Sequence, residues 1–156
     1  MAKKILIKID NITLEGELND TITSEIIWDN LPLEAVGNLW GDEVYFRTDI
    51  SIKAKDRPTN TVEIGDIAFW PPETALCIFY GKTPISTDNE IKPASSVIVV
   101  GKVKSNLNLL KNINENCEIK VIKNEPVAPK RPPVLPQQEY YDLNDTEYID
   151  NDTQNL

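Results

Sequence analysis

The stretch GDIAFWPPETALCIFYGKTP, Gly65 to Pro84, holds two short apolar runs joined by a double proline and closed by a glycine. Neither IAFW nor ALCIFY alternates with polar residues, so neither suits a strand with one wet face. Each must run through a core or line a pocket. Pro71 and Pro72 cannot donate to a ladder, so the chain leaves the sheet between the runs. Gly81 supports a turn that other residues resist. The stretch predicts a buried hairpin with a stiff proline tip.

On both sides of it the dominant period is two. In KILIKI, Ile5, Ile7 and Ile9 share one face and Lys4 and Lys8 the other; beyond the turn-prone Asp10-Asn11, Ile12, Leu14, Gly16 and Leu18 alternate with Thr13, Glu15 and Glu17. This pair predicts a β-hairpin. GDEVYFRTDISIK sets Val44, Phe46, Thr48 and Ile50 against Tyr45, Arg47 and Asp49, and SSVIVVGKV and CEIKVI supply two further strands. In TITSEIIWDNLP the apolar spacing changes to four, with Thr21 or Thr23 as cap and Pro32 as stop, which predicts one short helix. LNLLKN predicts a second helical turn. Roughly seven to nine short strands over about 120 residues, with two short helices, fit an antiparallel barrel or a sandwich. Closure into a barrel leaves no exposed sheet edge.

Near Asn124 the composition changes. All six glycines, all three tryptophans and all three phenylalanines precede it, and five prolines lie between Pro126 and Pro136. Proline-dense chain favours extended conformations without internal hydrogen bonds, and the acidic end is too poor in apolar residues to build a core. The expected organisation is a β-domain over 1–123 and a disordered tail over 124–156. Within the tail, Lys130 to Pro136, KRPPVLP, has the basic-x-x-Pro-x-x-Pro pattern of a ligand for another protein's aromatic groove.

Charge excludes some functions. The chain carries −9 overall, with 18 acids and 14 bases before Asn124 and 7 acids and 2 bases from it onward. An acidic chain with no basic stripe lacks the footprint of a nucleic-acid binder. No apolar run approaches the ~20 residues of a membrane helix. The N-terminus alternates where a signal peptide would be continuously apolar. The reading is of a cytoplasmic protein. With no histidine and two distant cysteines, Cys77 and Cys117, no metal site and no cofactor are expected. Cys77, inside ALCIF, is expected to be a buried, inert thiol.

Three blocks carry a resemblance: LPLEAVGNLWGDEVYF (31–46), GDIAFWPPETALCIFYGKTPIS (65–86) and ASSVIVVGKV (94–103). In order and content they resemble the small prokaryotic cyclophilin-like family, over about residues 3–123. The resemblance implies a closed antiparallel eight-stranded barrel capped by two helices. True cyclophilins isomerise the bond before proline, whose barrier of about 18–20 kcal/mol comes from amide resonance. They use an apolar pocket and an arginine aimed at the amide nitrogen. By position in VYFR, Arg47 corresponds to that arginine; by position in ALCIFYG, Phe79 corresponds to the pocket phenylalanine. The pocket histidine has no match here, and neither do the glutamine and tryptophan.

Two functions from different classes follow. One is a non-catalytic binding module, holding a small molecule or extended peptide in a groove of Trp40, Tyr45, Trp70, Phe79 and Tyr80. The other is a weak prolyl isomerase using Arg47 as donor. A structural or scaffold subunit is a third. The incomplete isomerase pocket favours the binding module.

Overall fold

In the computed structural model, residues 3–53 and 55–125 are described. The expected tail lies outside them except for Asn124 and Glu125. No helix among the described residues is long and apolar enough to cross a membrane.

The first hairpin pairs β1 (Lys3–Ile9) with β2 (Ile12–Leu18) in the register Ile7↔Leu14, its turn closed by Asp10 in the left-handed region. Helix α1 (Ile22–Asp29) follows, with Thr21 as N-cap accepting from the Ser24 amide at 3.1 Å. Asp56 accepts from the Ile22 and Thr23 amides as well, so two side chains satisfy the first turn. Ile27 is buried in the barrel, and the Trp28 ring lies under Lys123 Nζ at 4.8 Å. The second expected helix is a 3-10 segment, Leu107–Asn112.

Then come β3 (Leu33–Val36), β4 (Asn38–Leu39), β5 (Glu43–Arg47), β6 (Asp66–Trp70), β7 (Ala75–Phe79), β8 (Ile98–Val103) and β9 (Glu118–Lys123). All pairings are antiparallel, in the order β3-β9-β1-β2-β8-β6-β7-β5-β4. The two outermost strands, β3 and β4, are halves of one stretch interrupted at Gly37. The first half pairs with β9 and the second with β5, so the sheet curls into a nearly closed barrel through one bent chain segment. This accounts for nine strands where eight staves are expected. Gly37 makes the bend possible: a Cβ there would lie 2.8 Å from Ile119 Cδ1 and closer still to Cys117 Sγ. Its amide donates to Cys117 O and its carbonyl accepts from Asn116 N.

Two sequence expectations need correction. The strand read through Lys53 stops at Arg47, because its partner β7 begins only at Ala75, after Thr74 in the left-handed region; Thr48 donates its amide and hydroxyl to Thr74 O. Gly81 serves close approach: a Cβ would overlap the Asp42 carboxylate. Positive φ among the glycines is found instead at Gly41 and Gly65.

The barrel interior collects Ile5, Ile7, Leu14, Val44, Phe46, Ile67, Phe69, Leu76, Ile78 and Val121. Because neighbours along a strand point to opposite faces, Ala68, Cys77 and Phe79 point outward. They are still buried, in a second cluster with Val62 and Val97. The loops after β5 and after β7 cover that outer face, fastened by the bridges Thr59↔Val97 and Val62↔Ile91. Both apolar runs of the decisive hairpin are therefore buried on both sides. Its tip is a 3-10 turn, Pro71–Glu73, ended by Thr74 in the left-handed region.

Candidate functional site

The covered outer face is incomplete at one end, where it leaves a cavity of about 220 Å³. Its lining comes from four places. Trp40 and Glu43 flank the tight turn Gly41-Asp42, their backbones exchanging hydrogen bonds of 2.9 and 3.2 Å, so both side chains lie on one face. Gly41 takes φ +62°, a value costly for other residues, and sits against Lys82 O. Tyr45, two residues beyond Glu43, shares its face and pairs with Cys77 across β5 and β7. Trp70 ends β6, and Pro93, Ala94 and Val97 come from the segment leading into β8.

The aromatic walls are fixed in place. The Tyr45 and Trp70 rings meet at 87° with centroids 6.0 Å apart, an edge-to-face arrangement. Trp70 Nε1 donates to Ser95 Oγ at 2.7 Å, tying the indole to the loop.

Glu43 is the unusual member. The residue is 4% exposed, and its Oε1, enclosed, has no hydrogen-bond partner among the described residues. Burial pushes its carboxyl up to about 7, and a hydrogen bond from the Cys77 thiol offsets only part of that rise. Burial first, and then Glu43 itself, hold the Cys77 thiol well above its ordinary range. Cys77 stays protonated at neutral pH and is no nucleophile. The site can therefore accept a hydrogen bond and hold a proton near neutrality, between apolar walls.

Of the five expected groove residues, Trp40, Tyr45 and Trp70 line this cavity. Phe79 is fully buried in the outer cluster and Tyr80 packs into the barrel interior; neither is in the lining. They are sequence neighbours on opposite faces, so one groove cannot take both. Arg47 is exposed and outside the lining. Its Nε and Nη2 reach Glu73 Oε1 at 2.8 and 2.6 Å, and its guanidinium lies 6.0 Å from the Tyr45 ring centre. The sequence reading passed over Glu43. Its signal was present in the alternation, since an acid two residues before Tyr45 must share that residue's face.

The model of the cyclophilin-like family matches residues 3–122. The chain belongs to that family. It is also similar to a hypothetical protein from Archaeoglobus fulgidus known from its solution structure, with 33% identity and a TM-score of 0.65. The match covers 76% of this chain and 93% of that one. No curated protein matches the chain.

Proposed function

We propose that this cyclophilin-like barrel is a non-catalytic binding module whose ligand occupies the cavity between Trp40, Tyr45 and Trp70. The observation that carries the reading is the buried Glu43 carboxyl, its Oε1 without a partner among the described residues, on the wall of a largely aromatic and aliphatic cavity. Ligand sites combine apolar lining with a few polar groups that set orientation, and Glu43 is suited to that part. The cavity takes a small molecule or one side chain of an extended peptide.

Prolyl isomerisation is the weaker reading. It needs a guanidinium free to reach an amide nitrogen next to a proline pocket, and the Arg47 side chain is bonded to Glu73 and outside the cavity.

The test is an amide and indole NMR titration of the full chain with benzyl alcohol and benzylamine. The expected result is a saturable shift of the Trp70 indole N–H with at least one of them, abolished in Ala94→Trp, which fills the cavity. Shifts scattered over the surface, or unchanged in Ala94→Trp, would remove the cavity from consideration.

A further inference from the structure

Ordinary core packing does not explain the surroundings of Glu43. A buried carboxyl oxygen without a donor is costly, and such groups are normally paired. Here Oε1 is enclosed and has no partner among the described residues, while the residue lines an open cavity that a donor could enter to reach the carboxylate. No lysine or arginine is among the described lining residues, and Arg47, over the outer Tyr45 ring, is engaged by Glu73. The walls are aromatic, and aromatic faces carry the negative end of the ring quadrupole. Carboxyl and rings thus favour the same sign of charge in a ligand.

Resting on the reading of this cavity as a ligand site, we infer that its ligand is a small organic ammonium ion, donating an N–H to the Glu43 carboxylate and laying its apolar body against Trp40, Tyr45 and Trp70. An anion would meet an acid, with no lysine or arginine among the described lining residues to offset it. A neutral alcohol would pair with the carboxylate without using the charge. A quaternary ammonium would use the rings and give the carboxylate no donor. The groups facing Glu43 do not compete with it: the Cys77 thiol and the Tyr80 phenol are both pushed upward by burial and remain neutral at pH 8, where Glu43 is mostly ionised.

The experiment titrates the full chain at pH 8, by NMR, with benzylammonium, benzyltrimethylammonium, benzyl alcohol and benzoate. Benzylammonium is expected to bind at least tenfold more tightly than each of the other three. In Glu43→Gln its affinity should drop at least tenfold, while that of benzyl alcohol stays within about twofold. Equal or tighter binding of the alcohol, benzoate or the quaternary ion overturns the ammonium assignment and leaves the cavity standing as a site. So does unchanged benzylammonium affinity in Glu43→Gln. Absence of saturable shifts at the cavity with all four probes overturns both readings. The four-probe comparison uses the wild-type chain alone, so it decides the matter even if the variant folds poorly.

Discussion

Raising the pH from 5 to 8 should destabilise this protein through one side chain, Glu43. Below pH 4.5 the carboxyl is protonated in both folded and unfolded chains, and its burial adds no ionisation cost. Between 4.5 and about 7 the unfolded chain releases the proton while the folded chain keeps it, so stability falls as pH rises. Above about 7 both states are ionised and the whole penalty is present. At ~1.4 kcal/mol for each tenfold change in proton affinity, the gap from 4.5 to about 7 amounts to roughly 3 kcal/mol. For a domain of this size that is a fall in Tm of about 10 °C. Among the described residues, none of the other groups with a shifted proton affinity is moved into this window. The chain has no histidine. Asp56 and Glu63 are held low by hydrogen bonds, while Cys77, Cys117, Tyr80 and Lys102 are pushed upward from already high values. Urea unfolding at pH 5, 6, 7 and 8 should show the loss in the wild type and a profile flat to within ~1 kcal/mol in Glu43→Gln. Parallel pH profiles for the two proteins would refute the reasoning, because the titrating group would then lie elsewhere.

Gly37→Ala should cost about 2 kcal/mol by overpacking against Ile119 and Cys117; a thermal melt unchanged from wild type would mean that the bend between β3 and β4 yields easily. Arg47→Ala should lower stability by no more than ~1 kcal/mol, since its pair with Glu73 is exposed. Turnover of a proline tetrapeptide should be weak or absent both with and without that arginine. Strong wild-type turnover that collapses in Arg47→Ala, with circular dichroism unchanged, would instead favour the isomerase. Cys77, 1% exposed and with its thiol held protonated, should resist a thiol reagent under native conditions and react on unfolding; rapid native labelling mapped to Cys77 would count against its burial.

Features with local causes were legible in the chain alone. The period of two in KILIKI and ITLEGEL sets which residues enter the core. Pro71-Pro72 breaks the ladder wherever it falls, and the threonines before the helical spacing, Thr21 and Thr23, offer a cap, a part taken by Thr21, whose oxygen reaches an amide three residues on. The uninterrupted apolarity of IAFW and ALCIFY announced burial on both faces, and the cyclophilin-like blocks announced the barrel. How that barrel closes depends on contacts between distant residues. LEAVGNLW carries no strong strand period, and its division between β9 and β5 depends on Gly37 meeting Cys117 and Ile119, residues about eighty positions away. The site was decided in the same way. Trp40 and Trp70 could be named as candidates from their places near strand ends, and Tyr45 as a member of the VYFR strand. That Glu43 is enclosed with them, rather than solvated like most acids, follows from the register of β5 on β7 and from the segment around Pro93 to Val97 lying over that face. A carboxyl's proton affinity depends on what surrounds it in space, and sequence neighbours supply only a small part of those surroundings.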